Sequence, residues 1–328
     1  MYFLGIDLGS VSTDFVLIDE YYCVKKELYL KTKGNPIKII KEGLKILKTE
    51  FKDEEIAAAG ATGSGRHICA AIIGADIVKN EITAHAVAAL QYDSSVKTII
   101  EIGGQDSKII LINNGIVTDF SMNTVCAAGT GSFIDRQAER LEIPIEKFGN
   151  YAMLSENPVR IAGRCAVFAE SDMIHKQQLG YNEADIIAGL CKALVRNYLN
   201  NVAKGKTIQS KVIFQGGVAA NIGIKDAFEK ELGMKVIVPK HYNMMGAIGA
   251  AILASEAVAK KKYSLFRGLS LAEKEVYSRS FECEGCTNNC EISEIKDEKN
   301  ILGYFGDRCS KWSNILKTKD DNEKKAIV

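Results

Sequence analysis

The chain has 328 residues, of which 47% are hydrophobic and 25% are charged, and its 42 basic and 41 acidic residues leave a formal charge of +1. This balance argues against a protein that binds nucleic acid through bulk charge, and the length predicts two packed domains with an appendage. Residues 1–10 carry no basic segment, and the sequence has no apolar run of about 18 residues, so we predict a cytoplasmic protein without a membrane partner.

Two segments share one pattern, in which a β-rich run, a short polar turn with glycine and a second β-rich run follow each other. They are YFLGIDLGSVSTDFVLIDE at 2–20 and TIIEIGGQDSKIILINNG at 98–115, and each predicts a hairpin with a polar tip. Glycines in such a tip let backbone N–H groups approach an anion, and hydroxyl and amide groups add donors. The predicted phosphate-binding residues are Gly9, Ser10, Ser12, Thr13, Gly103, Gly104 and Gln105. Asp7 and Asp106 suit a hydrated magnesium ion, which prefers carboxylate and water ligands.

Two cysteines precede predicted helices. Cys126 lies in NTVCAAGTGSF at 123–133, and Cys165 lies in GRCAVFAESDMI at 163–174. The helix dipole favours a thiolate at such a position, and thiolates are good iron ligands. Because a 4Fe-4S cluster takes four cysteines, the two would complete a set only in a two-fold symmetric dimer. The alternative is that each is a small core residue beside a tight turn, and the residues alone favour neither interpretation.

The segment KVIFQGGVAANIGIKDAFEKELG at 211–233 predicts a buried strand, a glycine turn and an amphipathic helix. A nucleotide's ribose and base can lie against bare backbone at such a turn, so Gly216, Gly217 and Asn221 are nucleotide-binding candidates. The following helix, at 243–260, carries small residues that permit close packing, either at a hinge between lobes or within a core.

The composition changes after residue 262, and we treat 263–328 as a C-terminal extension. Its cysteines follow the spacing C-x2-C-x3-C-x18-C and are Cys283, Cys286, Cys290 and Cys309. This spacing predicts a second metal site, and it fits zinc and an iron-sulfur centre equally well. A metal-free tail is the alternative, and residues 317–328 are predicted to be a solvated end. We interpret Cys23, Cys69 and Cys191 as ordinary core thiols.

The ordered motifs within residues 1–262 resemble those of the acetate and sugar kinase, heat-shock chaperone and actin superfamily of ATPases. The resemblance implies an α/β, two-lobed actin-like (ribonuclease H-like) fold, in which two lobes with mixed five-stranded sheets close on MgATP. It places lobe I at 1–95 with 246–262 and lobe II at 96–245, leaving the small cysteine-containing extension outside. The second hairpin carries Glu101 where many members have aspartate, so both Glu101 and Asp106 are candidates to position the attacking water, beside Asp7 as a further catalytic residue.

The sequences of five motifs resemble those of one family within that superfamily. GIDLGSVST, EIGGQDSK, NTVCAAGTGSFID, GRCAVFAESDMI and FQGGVAAN resemble the BadF/BadG/BcrA/BcrD-type ATPases that activate 2-hydroxyacyl-CoA dehydratases or reduce double-cubane cluster proteins. The resemblance implies a homodimer bridged by one 4Fe-4S cluster on Cys126 and Cys165. It also implies that ATP-driven lobe closure gates single low-potential electrons from ferredoxin or flavodoxin to the partner's cluster.

Two other functions compete with this interpretation. A sugar or small-acid kinase would share the fold without redox chemistry. A nucleotide-dependent regulator whose cysteines sense redox state would share the site without turnover.

Overall fold

The computed structural model describes residues 1–123, 126–298 and 300–313, so the predicted solvated end at 317–328 lies outside the described residues. The chain divides into two compact units, Met1–Val87 with Gly246–Val328, and Ala88–Met245. The second unit therefore begins at residue 88. The boundary implied by the resemblance lies at residue 96. Among the described helices, none has the length and apolar character needed to span a bilayer.

The first unit contains a mixed five-stranded sheet in the order β3-β2-β1-β4-β5. Its strands are β1 Tyr2–Leu8, β2 Ser12–Asp19, β3 Val24–Lys31, β4 Ile56–Thr62 and β5 Ile77–Val78. β1 and β2 are antiparallel with Asp7 opposite Asp14, and β1 runs parallel to β4. The first predicted hairpin is therefore confirmed.

Helices cover this sheet. They are α1 Pro36–Lys48, α2 Arg66–Ile73, α3 Glu81–Tyr92, which continues past the unit boundary, and α9 Met245–Lys261. Phe15 and Leu17 of β2 share a core with Ile40 and Leu44 of α1, because the inward residues of strand and helix are apolar. The small residues of α9 do permit close packing, since a Cβ on Gly249 would collide with the Ala84 carbonyl of α3.

The second unit contains a mixed five-stranded sheet in the order β10-β9-β6-β7-β8. Its strands are β6 Thr98–Ile102, β7 Ser107–Asn113, β8 Ile116–Asn123, β9 Val212–Gln215 and β10 Val236–Ile237. Its helices are α4 Gly131–Arg140, α5 Ile145–Met153, α6 Ala166–Gln178, α7 Glu183–Asn201 and α8 Ile222–Leu232. β6 and β7 are antiparallel, which confirms the second hairpin, and the strand–glycine–helix order of β9 and α8 is confirmed as well. Tyr198, Phe214 and Phe228 form an aromatic centre with ring centroids 5.3 to 5.4 Å apart.

The extension folds as a three-stranded antiparallel sheet, with β11 Val276–Glu282, β12 Glu291–Asp297 and β13 Ile301–Phe305. Leu269, Leu271, Ile295 and Leu302 of this segment lie in the same apolar core as β1, β2 and α1. Because these side chains are buried there, the extension packs as part of the first unit.

Arg267 joins the extension to the rest of the first unit. Its guanidinium donates to the Ala71 and Ile72 carbonyls at the end of α2 and, at 3.0 Å, to the Leu302 carbonyl of β13. Replacing Arg267 with alanine leaves these carbonyls without their donor, so we expect a loss of about 2 kcal/mol in the free energy of unfolding. Urea denaturation measures it, with Lys274→Ala, an exposed cation of the same segment, as the matched control. Equal stability of the two variants would contradict this role of the guanidinium.

Candidate functional site

The first loop, between β1 and β2, is held by two threonines. The Gly9 N–H donates to the Ser12 carbonyl at 2.9 Å, and the Thr32 hydroxyl donates to the Gly9 carbonyl at 2.9 Å. The Thr13 hydroxyl lies 2.9 Å from that of Thr32, and Thr13 is fully buried. Thr13 therefore supports the loop through Thr32, whereas Ser10 is exposed at the tip, and the phosphate-binding role of Thr13 stays a prediction. The alternation of β2 explains the difference, since the residue after Ser12 points to the opposite face.

Two carboxylates flank this loop. Asp7, at the end of β1, is half-buried and faces Asp14 across the hairpin. Burial raises the pKa of Asp14 well above its usual value, and the negative charge of Asp7 raises this pKa further. Gly246, the second residue of α9, leaves room for Asp7, because a Cβ there would collide with its Oδ2 atom. Asp14 was not identified from the sequence. Its position opposite Asp7 in the predicted hairpin could have indicated it.

An ion-pair group links the second loop to the two strands that it joins, with Glu101 in β6, Asp106 in the loop and Lys108 in β7. Lys108 Nζ lies 2.9 Å from Glu101 Oε2 and 2.8 Å from Asp106 Oδ2. The side chains of Lys108 and Glu101 are 2% and 5% exposed, whereas that of Asp106 is 32% exposed. The Tyr198 hydroxyl donates to the Lys108 carbonyl at 2.7 Å and steadies the strand. Sequence reasoning missed Lys108, although a lysine inside a β-rich run was a signal for a buried ion pair.

The second loop, the glycine turn and the start of α4 meet within this unit. The N–H groups of Gly131 and Ser132 donate to the Gly103 and Gly104 carbonyls, each at 2.9 Å. Gly216 has a φ of 86°, and a Cβ there would lie 2.6 Å from Glu101 Oε1. Glu101 therefore offers one oxygen to Lys108 and holds the other beside two glycine-rich turns.

The remaining predicted nucleotide-binding residues of this unit lie in the second loop or beside the turn at Gly216. Gln105 is exposed at the loop tip. Gly217 begins a 3-10 turn that ends at Ala220, before α8. The Asn221 side-chain oxygen accepts the Ile224 N–H at 3.1 Å and caps α8. The side chain of Asn221 therefore caps α8. The prediction of a nucleotide-binding role did not include this contact.

The two cysteines differ in local structure. Cys165 is the N-cap of α6, as predicted. Cys126 precedes only a 3-10 turn, Ala127–Gly129, and α4 begins after the extended residue Thr130. The predicted order of a glycine-rich turn and then a helix after Cys126 is confirmed, but the extended Thr130 separates the turn from the helix, so Cys126 does not lie at the N-terminus of α4. Both thiols are half-buried.

Asn197 of α7 joins the two cysteine segments. It is 2% exposed, and its Nδ2 atom lies 3.9 Å from the Cys126 sulfur and 2.6 Å from the Gly163 carbonyl, two residues before Cys165. Asn123 holds the other side of Cys126, because its side chain bonds the Cys126 N–H and carbonyl at 2.9 and 2.8 Å. One side chain thus contacts the segments of both cysteines, which are distant in sequence. Sequence reasoning missed Asn197, which lies in a helix otherwise identified by its apolar face.

The other cysteines fall into two groups. Cys69 and Cys191 are buried core thiols, as predicted, but Cys23 is exposed and its assignment to the core was wrong. Cys283, Cys286, Cys290 and Cys309 all lie at one end of the extension sheet or in the turn after β13. Within residues 1–123, 126–298 and 300–313, no three His, Cys, Asp or Glu side chains are arranged as a metal-binding group. The second metal site therefore stays a prediction.

The two sheets and their hairpins define the class of protein. The fold is similar to the crystal structure of component A of (R)-2-hydroxyglutaryl-CoA dehydratase from Acidaminococcus fermentans, with a TM-score of 0.73, 34% identity and coverage of 79% of this chain and 99% of that chain. It is equally similar to the activator of 2-hydroxyisocaproyl-CoA dehydratase from Clostridium difficile with bound ADPNP, with a TM-score of 0.73, 33% identity and coverage of 80% and 97%. The protein is an α/β ATPase of the actin-like fold.

The family follows from the sequence match. The model of the BadF/BadG/BcrA/BcrD ATPase family matches residues 4–254, and the chain belongs to this family. The (R)-2-hydroxyglutaryl-CoA dehydratase activating ATPase of Acidaminococcus fermentans is 36% identical over 263 residues, covering 79% of this chain and 99% of the relative. The family match ends before the cysteines of the extension.

Proposed function

We propose that this ATPase is a homodimeric iron-sulfur activator that transfers single low-potential electrons to a partner enzyme. Ferredoxin or flavodoxin would supply the electrons, and the cluster of a 2-hydroxyacyl-CoA dehydratase or a double-cubane cluster protein would accept them. The observation that carries this proposal is the bonded path from the second loop to Cys126. Gly103 and Gly104 bond the first residues of α4, and the Thr130 hydroxyl before α4 donates to the Ala127 carbonyl at 2.8 Å.

Nucleotide binding is assigned to the glycine-rich turns. The backbone of Gly9, Gly103 and Gly104 would bind phosphates, and Gly216 and Gly217 would lie against the nucleoside. The Clostridium difficile relative, whose structure holds ADPNP, supports nucleotide binding by this fold. Asp7 and Asp106 would hold a hydrated magnesium ion, which neutralises charge on the phosphates.

Glu101 is the better candidate for positioning the attacking water. Lys108 holds its Oε2 atom in a buried ion pair at 2.9 Å, while its Oε1 atom faces the turn at Gly216. Asp106 is more exposed and suits the magnesium ion instead. In this assignment Glu101 orients the water, and Lys108 positions Glu101.

Cys126 and Cys165 would hold one 4Fe-4S cluster together with the same two residues of a second copy. Such a cluster, when bound, supplies a one-electron redox centre. The chain's own residues fit this group, because Asn197 places both cysteine segments side by side and leaves the thiols half-buried. Val167 and Phe168, which follow Cys165, are 68% and 64% exposed and offer an apolar surface to the second copy.

ATP hydrolysis would control this centre through the second loop. Loss of the terminal phosphate changes the contacts of Gly103 and Gly104, and their bonds to Gly131 and Ser132 pass the change to the start of α4. Thr130 and Ala127 then carry it to Cys126. A shift of Cys126 relative to the Asn197 amide alters hydrogen bonding and solvent access at the sulfur, and both tune a cluster's potential.

Anaerobic purification tests the proposal. We expect a brown dimer with about four iron atoms per two chains, and its reduced form should reduce an added 2-hydroxyacyl-CoA dehydratase only in the presence of MgATP. A colourless protein that transfers phosphate from ATP to an added sugar or small acid would contradict the proposal and identify a kinase. Tight nucleotide binding without turnover would instead identify a regulator.

A further inference from the structure

Three cysteines of the extension lie on one hairpin. Strands β11 and β12 are joined by residues 283–290, and the Cys283 N–H donates to the Cys290 carbonyl at 2.9 Å. Inside this connection the Asn289 N–H donates to the Cys286 carbonyl at 3.2 Å. The backbone therefore places Cys283, Cys286 and Cys290 on a single closed turn.

The fourth cysteine belongs to a turn that packs against this hairpin. Cys309 lies between Asp307 and Trp312, and the Asp307 carboxylate accepts the Trp312 N–H at 2.8 Å. The Trp312 indole N–H donates to the Cys283 sulfur at 3.2 Å, and its ring lies 5.0 Å from that of Phe281 at the end of β11. Trp312 thereby fastens the turn of Cys309 to the cysteine hairpin.

The Cys283 sulfur has the surroundings of a metal-bound thiolate. It accepts hydrogen bonds from the Trp312 indole and from the backbone N–H of Gly285. One donor lies two residues after the cysteine in a C-x2-C turn, and the other comes from a neighbouring loop. Hydrogen bonds of this kind commonly support the ligands of metal sites. Cys286 and Cys309 are exposed, so their side chains are free to change rotamer.

We propose that Cys283, Cys286, Cys290 and Cys309 form a structural zinc site that closes the end of the extension sheet. Four thiolates with a C-x2-C turn match the tetrahedral sites that zinc prefers. The thiols do not form a ligand group in the described structure, so binding requires their side chains to rotate towards one another, with three of the four on a hairpin that the Cys283–Cys290 backbone bond closes. The site lies outside the residues of the family match and serves the stability of the extension, not electron transfer.

Metal analysis of the full chain tests the site. The chain is used with Cys126→Ala and Cys165→Ala, so that iron at those cysteines does not interfere, and zinc is counted after gel filtration. We expect one zinc per chain, and cobalt(II) in its place should give the charge-transfer and d–d absorption of tetrahedral thiolate coordination. Cys286→Ser should weaken zinc affinity at least about tenfold, whereas Cys23→Ser, which removes an exposed thiol elsewhere in the same unit, should leave it unchanged.

Trp312→Phe provides a second variant, because it keeps a ring against Phe281 and removes the indole donor. We expect zinc affinity to fall about tenfold while the folded state persists in circular dichroism. Zinc below about a tenth of an equivalent in a folded chain, iron with sulfide in place of zinc, or equal losses in Cys286→Ser and Cys23→Ser would each overturn the proposal.

Discussion

Glu101→Gln is expected to lower kcat for ATP hydrolysis by about 100-fold or more, with little change in the affinity for nucleotide. The substitution keeps the shape of the side chain but removes the carboxylate charge that would orient and polarise the water. Lys108 retains Asp106 as a partner at 2.8 Å, so the loop should stay folded. Steady-state hydrolysis and equilibrium binding of ADP separate the two effects.

Asp106→Asn distinguishes the two acids. If Asp106 serves magnesium, this variant should need a higher magnesium concentration and should recover most of its kcat when magnesium is in excess. Asp119→Asn is the matched control, because Asp119 also pairs with a lysine of this unit, Lys206 at 2.6 Å, but on the surface. Full activity in Glu101→Gln together with a magnesium-independent loss in Asp106→Asn would reverse the assignment.

Cys126→Ala is expected to abolish iron binding at the proposed cluster site and to leave ADP binding intact. Removal of one thiol per chain takes two of the four ligands from a cluster shared by two copies, so the loss should be nearly complete. Iron per chain after anaerobic purification and ADP affinity by calorimetry are the two measurements. The bonds from Gly103 and Gly104 to α4 do not involve the thiol, which is why the nucleotide site should survive.

Cys191→Ala is the control for that experiment. Burial raises the pKa of the Cys191 thiol to about 12, so this sulfur stays protonated in the core of the same unit and should hold no iron. Its removal should cost some stability and leave the iron content unchanged. A full iron complement in Cys126→Ala, or an equal loss in Cys191→Ala, would remove the basis for the proposed cluster ligands.

Much of the fold follows from local pattern. The strand runs on either side of 9–11 and 103–106 are apolar and short, and glycine between them allows a tight turn, so both hairpins could be predicted. Cys165 precedes a helix whose boundary is visible in the sequence. The turn and the helix after Cys126 could be predicted in the same way, but the extended conformation of Thr130 between them could not, because it adjoins Gly131, whose N–H bonds Gly103 of a loop that is distant in sequence.

The sequence by itself determined the α/β class, the two repeated loops, the glycine turn and the cysteines that we assign to metal. Only the tertiary structure decided that Asn197 joins Cys126 to the segment of Cys165, that Lys108 holds Glu101 and Asp106, and that Leu269 and Ile295 place the extension in the core of the first unit. The physical reason is the separation along the chain over which each interaction acts. Hydrophobic period and turn chemistry act over a few residues, whereas a buried amide or ammonium selects its partners from whatever the packed chain brings within about 3 Å.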